Sequence, residues 1–124
     1  MRIESKPSAV IAARAALKKH AEDVILLDLR RLSSVADFFV VATVASQRQM
    51  RAIVESVEAD LKRLGQRVRH VEGREALRSD SRDGLSWVVM DCGAFVVHLF
   101  TPPARQFYQL ERLWGDAPRT AIAS

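Results

Sequence analysis

The run from Trp87 to Arg119, WVVMDCGAFVVHLFTPPARQFYQLERLWGDAPR, decides the fold, because it reads as a hairpin that passes directly into a helix. Ser86 to Cys92 are mostly β-branched or apolar, Gly93-Ala94 makes a two-residue turn with glycine first, and Phe95 to Phe100 returns as the second strand. With that turn, Cys92 opposes Phe95, Met90 opposes Val97 and Val88 opposes Leu99 on one wholly apolar face. The other face pairs Asp91 with Val96, Val89 with His98 and Trp87 with Phe100, so a carboxylate, an imidazole and an indole lie among apolar neighbours. Two readings of this mixed face stand: it meets a partner, or a further helix covers it and satisfies the histidine and tryptophan internally. Thr101-Pro102-Pro103 then opens a helix, with a hydroxyl that can accept an amide hydrogen bond and prolines whose missing N–H costs nothing there. Ala104, Phe107, Leu110 and Trp114 recur at helical spacing, and Gly115 suits the position just past the helix end.

Upstream, Ser8 to His20 predicts an alanine-rich helix with Val10, Ile11, Ala13 and Leu17 as its apolar stripe and Lys18, Lys19 and His20 near its C-terminal dipole. Val24 to Arg30 is too short an apolar run for a helix and predicts a strand, followed by a loop over Leu32 to Asp37. Phe38 to Thr43, FFVVAT, is nearly continuously apolar and predicts a central strand buried on both faces. Ser46 and Gln49 have capping-box spacing, and Met50, Ile53, Val54, Val57, Leu61 and Leu64 form a long helical stripe closed by Gly65. Gln66 to Glu72 predicts a further strand, and the charged, glycine- and serine-bearing run Gly73 to Gly84 a mobile connection into the hairpin. The order is therefore α-β-β-α-β-β-β-α, an α/β fold with a mixed five-stranded sheet flanked by helices. The strand, long helix and strand around residues 46–65 permit a right-handed parallel crossover. Residues 1–115 form one domain on this reading, and 116–124, with Pro118 and small residues, a disordered tail.

A chain of 124 residues, 48% hydrophobic and 27% charged, has the size and composition of one ordinary globular domain. It lacks both a membrane-spanning apolar run and a secretory segment at its start, which points to the cytoplasm. One cysteine, Cys92, excludes an intrachain disulfide and cannot by itself make a cysteine-based zinc site, so packing is its expected role. The net charge of +4 rests on 19 basic residues of which 15 are arginine, a residue suited to bidentate contact with phosphate or carboxylate.

Nucleotide chemistry requires motifs that leave a trace in sequence. Neither G-x-x-x-x-G-K-[ST] nor G-x-G-x-x-G follows a strand, and the turn before the capped helix, TVASQRQ, has no glycine to let backbone amides crowd a phosphate. Asp28, Asp37 and Asp91 lie on or beside strands and would suit magnesium if the fold gathered them, yet the glycine-serine and D-x-[DE] of nucleotidyl transfer are missing. Asp80 and Asp83 make only a D-x-x-D in a loop. His20, His70 and His98 sit on different elements without metal-ligand spacing. No metal, cofactor or catalytic residue is expected.

Taken together, VILLDLR, VADFFVVAT, SQRQ, WVVMDCG, VVHLF and ARQFYQLERLWGDAPR give a chain that resembles the Iojap-like ribosomal silencing factors from about Ala13 to Arg119. The resemblance implies an α/β fold similar in shape to nucleotidyltransferases but without their catalytic residues. It also implies a translational repressor that binds the large ribosomal subunit through its fourteenth ribosomal protein, blocks joining of the small subunit, and acts when nutrients are short. By position, Trp87 and Asp91 match the family's W-x-x-x-D strand, Gly93 its turn, His98 its V-V-H, and Tyr108 to Trp114 its Y-x-L-E-x-L-W helix. The chain departs from the family pattern at Ala94, where aspartate is common, and at Val44, where glycine is common.

The expected partner-binding residues are Trp87 as an aromatic anchor, Asp91 and His98 as polar contacts, and Cys92 and Gly93 at the hairpin end. A homodimer is compatible with apolar strand edges and with the resemblance; membrane association and recognition of a specific nucleic-acid sequence are not expected. The rival reading is a nucleotidyltransferase-like enzyme using the strand aspartates.

Overall fold

A computed structural model describes residues 5–73 and 87–123. Helix α1 (Ser5–Lys18) leads to strands β1 (Glu22–Asp28) and β2 (Phe38–Thr43), then helix α2 (Gln47–Arg63) and strand β3 (His70–Glu72). Strands β4 (Trp87–Asp91) and β5 (Phe95–Phe100), helices α3 (Pro102–Tyr108) and α4 (Leu110–Leu113), and strand β6 (Arg119–Ala121) complete the described chain. The strands form one sheet in the order β3-β4-β5-β2-β1-β6. Only β2 and β5 are parallel neighbours; the other pairs are antiparallel.

The hairpin adopts the register its turn dictates: Trp87 faces Phe100, Val88 faces Leu99, Val89 faces His98, Met90 faces Val97 and Asp91 faces Val96. Gly93 takes φ +88°, a left-handed value that suits glycine, while its N–H donates to Asp91 Oδ1 at 2.9 Å and Cys92 N–H donates to the Phe95 carbonyl at 3.0 Å. At the far end of the neighbouring pair, Gly73 has φ +91°, and a Cβ there would lie 2.6 Å from the Trp87 carbonyl oxygen. Only glycine allows β3 to leave the sheet that close to β4.

One face of the sheet is sealed by α1 and α2. The first helix buries not the larger residues of the expected stripe but its alanines: Ala9, Ala12, Ala13, Ala15 and Ala16 are inaccessible, while Val10, Ile11 and Leu17 are only partly buried. Alanine lets helix backbones approach closely, and Ser56 of α2 takes advantage by donating its hydroxyl to the Ala15 carbonyl at 3.1 Å. Lys18 and Asp60 close the outer end with an ion pair at 2.5 Å. Helix α2 begins as its capping spacing predicts. Ser46 Oγ accepts from Gln49 N–H at 3.1 Å, and Gln49 Oε1 reaches back to accept from Ala45 N–H at 2.8 Å. Met50, Ile53, Val54, Val57 and Leu61 are buried, but Leu64 is exposed, because the chain has already turned at the cap that Gly65 (φ +73°) completes.

The structure corrects several further expectations. The parallel crossover does not set β3 beside β2: the β4–β5 hairpin lies between them, and β5 becomes the parallel neighbour of β2, with Phe38 beside Phe95 and Thr43 beside Phe100. The continuous helix expected after Thr101 is broken at Gln109, whose φ of +48° and ψ of +48° divide it into α3 and α4. Thr101 occupies the N-cap position with proline following, but its side chain makes no capping hydrogen bond. The residues after Gly115 are not a structureless tail. Ala117 is buried, the Pro118 carbonyl accepts from Asp28 N–H at 2.8 Å, and β6 pairs with β1 to make the sixth strand. Among the described residues the expected apolar strand edges are not found: the edge strands β3 and β6 are three residues long and carry His70, Glu72, Arg119 and Thr120, a poor template for pairing with a second copy. Ser86, the connection after Gly73 and the pair Asp80 and Asp83 lie outside the described residues.

Candidate docking face

The second face of the sheet is covered over only part of its width. Leu27, Leu29, Val41, Phe100, Ala104, Leu110 and Ala117 form a second, smaller core there, with Ile25, Phe39, Trp87 and Trp114 partly buried at its margin. The cover is held by one arginine. Arg105 of α3 donates from Nε to Glu111 Oε1, and from Nη1 to both the Asp23 carbonyl and Thr43 Oγ1, each at 2.7 Å. A single planar fork thus ties α3 to α4 and to the ends of β1 and β2. Its partners lie up to 82 positions away in the chain, so no local pattern announces it.

Beyond this cover no described helix lies on the sheet. Trp87, Val89 and Asp91 of β4 and Val96 of β5 are half-buried, whereas their sequence neighbours Val88, Met90 and Val97 are fully buried beneath α1 and α2. The alternation follows from the two-residue period of a strand. Because paired residues share a face, His70 and Glu72 of β3 join this side through their partners Asp91 and Val89. Their side chains meet at 2.6 Å. Glu72 and Asp91 thus place carboxylates beside the apolar strip in a chain whose net charge is +4.

Trp87 stands where the open strip meets the covered core. Its ring stacks on Phe100 with centroids 5.0 Å apart and contacts Tyr108 at 4.7 Å, and its indole N–H donates to His98 Nδ1 at 3.1 Å. Phe39 meets His98 edge-on at 4.5 Å and Trp114 at 5.7 Å. Accepting at Nδ1 leaves the proton of neutral His98 on Nε2. That atom is buried without a hydrogen-bond partner among the described residues. An unpartnered donor of this kind costs about 1–3 kcal/mol. His98 as a residue is only 5% exposed, and burial draws its pKa down from 6.5 to about 4. The cluster continues outward: Phe107 is 70% exposed, Tyr108 42% and Leu113 78%. Phe107 therefore does not face the core as its spacing suggested; Ala104 is the buried residue of α3, and the break at Gln109 sets the phase in which Leu110 is buried.

Of the five residues singled out from sequence, the structure brings Trp87 and His98 into direct contact. Asp91 shares their face at the other end of β4, four residues or about 13 Å away. Gly93 shapes the turn. Cys92 belongs elsewhere: it packs against the core beneath α1 and α2, its Sγ lies 3.7 Å from the Met90 carbonyl, and burial with nearby Asp91 and Glu58 pushes the thiol up to about 12. That thiol is unsuited to nucleophilic chemistry. The strand carboxylates do not gather either. Asp28 is engaged by Arg30 through Nε at 3.0 Å and Nη2 at 2.7 Å, Asp91 accepts from the Gly93 amide, and no group of three potential metal ligands converges among the described residues. Reasoning from sequence missed Phe39, whose continuously apolar strand conceals which residues point to which face, and the exposed Phe107 and Leu113.

The geometry defines a mixed α/β protein whose sheet is sealed on one side and left half open on the other around an ordered aromatic cluster. Comparison with known proteins gives this class its family. The family model described as "Ribosomal silencing factor during starvation" matches residues 2–124. The ribosomal silencing factor RsfS of Bacillus subtilis is 39% identical over 108 residues, 87% of this chain and 85% of that protein. The chloroplastic protein Iojap of Zea mays is 31% identical over 109 residues, 88% of this chain and 44% of the relative. A crystal structure of a protein from Chromobacterium violaceum superposes with a TM-score of 0.81 at 31% identity, covering 98% of this chain and 95% of the other. A second, from Bacillus halodurans, superposes with a TM-score of 0.72 at 31% identity, covering 90% and 94%. The chain belongs to the ribosomal silencing factor family.

Proposed function

We propose that this protein is a ribosome-associated translational regulator that docks its half-open sheet face onto the large ribosomal subunit, through the fourteenth large-subunit ribosomal protein, and so prevents the small subunit from joining. The observation that carries the reading is the cluster of Trp87, Phe39 and Tyr108, ordered by contacts inside the chain yet not fully buried, on the sheet face that also carries Glu72 and Asp91. Aromatic side chains held in place are strong anchors, because they bury large area while losing few rotors, and a carboxylate rim complements the basic surface expected of a ribosomal protein. Repression by occupying a surface needs no reaction, so neither a catalytic group nor a cofactor enters the mechanism. Such a protein works in the compartment that holds the ribosomes, here the cytoplasm. Family membership and the names of the relatives support the ribosomal setting.

Co-sedimentation with separated subunits tests the proposal. Pelleting with large but not small subunits is expected, together with a fall in subunit joining as the protein is added. Equal pelleting with both subunits, or with naked RNA at the same salt, would replace it with general polyanion binding by the arginines.

A further inference from the structure

We propose that His98 is a positioning residue that acts through Trp87: its buried Nδ1 accepts the indole N–H and thereby sets the orientation in which Trp87 meets the partner. The inference rests on the docking function proposed above and adds a residue that itself touches no partner. Three observations converge on it. His98 lies in the middle of β5 between Val89 and Val41, too deeply buried for a docked protein to reach. Its acceptor nitrogen, Nδ1, takes the Trp87 indole N–H at 3.1 Å. Its second nitrogen is buried without a hydrogen bond among the described residues, so the imidazole is a poor choice for packing alone. An apolar ring would fill the same space between Phe39 and Phe100 without orphaning a donor. What an apolar ring cannot do is hold the indole. Without that bond Trp87 would keep its contacts with Phe100 and Tyr108 yet be free to slide and rotate across them, and a partner would have to order it on binding.

The test uses the full chain in two measurements. In isotope-labelled wild-type protein, a scalar coupling across the hydrogen bond should connect the Trp87 indole N–H to His98 Nδ1, and its absence overturns the proposal whatever the ribosome does. In binding, His98→Phe should retain the fold with an unchanged or raised denaturation midpoint while large-subunit affinity falls about tenfold. His98→Asn, which restores an acceptor near the Nδ1 position, should recover affinity to within about threefold of wild type. Unchanged affinity in His98→Phe, or equal losses in both variants, overturns the positioning role; should His98→Phe fail to fold, the asparagine variant decides, since loss of affinity with the fold intact and the indole still bonded overturns it too. If wild-type protein shows the coupling but does not bind large subunits, the docking function fails and the positioning role falls with it.

Discussion

The two faces of the sheet are built from the same strands, yet they differ in kind. Val88, Met90, Val97 and Leu99 point one way and are inaccessible beneath α1 and α2. Trp87, Val89, Asp91 and Val96 alternate with them and remain half-buried. The sealed face is apolar and close-packed, with Phe38 and Phe95 buried among its aliphatic side chains. The open face has aromatic rings, an imidazole hydrogen-bonded to an indole, and carboxylates at its margin. One face of each strand is thus given to burial, while on the proposed docking reading the next residue along is left to meet a partner. On that reading, stability and recognition are separated by a single position of register.

Truncation on the sealed face should have the largest effect. Met90→Ala is expected to destabilise the fold by about 2–5 kcal/mol, through lost transfer energy and the cavity left behind, whereas Val89→Ala, one residue away, should cost less than about 1 kcal/mol. Urea denaturation of the two variants measures the contrast, and similar losses would erase the distinction between the faces.

Acid should then act selectively through the open-face cluster. Burial holds the His98 imidazole down from 6.5 to about 4, so between those values the unfolded chain binds a proton that the folded chain refuses. Above pH 6.5 the residue contributes no pH dependence; as pH falls from 6.5 toward about 4 stability is lost, by about 3 kcal/mol in all. Denaturation midpoints followed over that range in wild type and His98→Phe should diverge, with the variant showing the flatter profile. Parallel profiles would mean that His98 does not titrate as a buried group.

Trp87→Ala sharpens the comparison from the functional side. Because Trp87 is only partly buried, the truncation should cost about 1–2 kcal/mol of stability, less than for a fully enclosed aromatic, while weakening large-subunit pelleting at least tenfold. A large fall in midpoint with normal affinity in the folded fraction would return Trp87 to the core. The smallest effect is expected at Asp28, whose ion pair with Arg30 is largely solvated. Asp28→Ala should change stability by at most about 1 kcal/mol and leave subunit binding intact. Loss of repression in a folded Asp28→Ala protein that still binds would revive an enzymatic role.

The features legible in the chain are those of local origin. Gly93-Ala94 set the hairpin register, and with it the division of Trp87, Asp91 and His98 from Val88, Met90 and Leu99, because a two-residue turn leaves one way to pair the strands. Ser46 and Gln49 marked the start of α2, since capping is satisfied within four residues. Tertiary structure decided the rest, because the deciding partners are distant in the chain. The residues around Pro118 read as a tail until the unpaired edge of β1 accepts them as a strand. The helix after Thr101 reads as continuous until Arg105 binds Asp23, Thr43 and Glu111, with the chain turning at Gln109 so that Leu110 is buried and Phe107 is left in solvent. The mixed face likewise admitted two readings in sequence, covered by a helix or open to a partner. Periodicity shows which residues share a face, but not how far a helix arriving from elsewhere will extend across it, and here α3 and α4 stop partway, at Trp87.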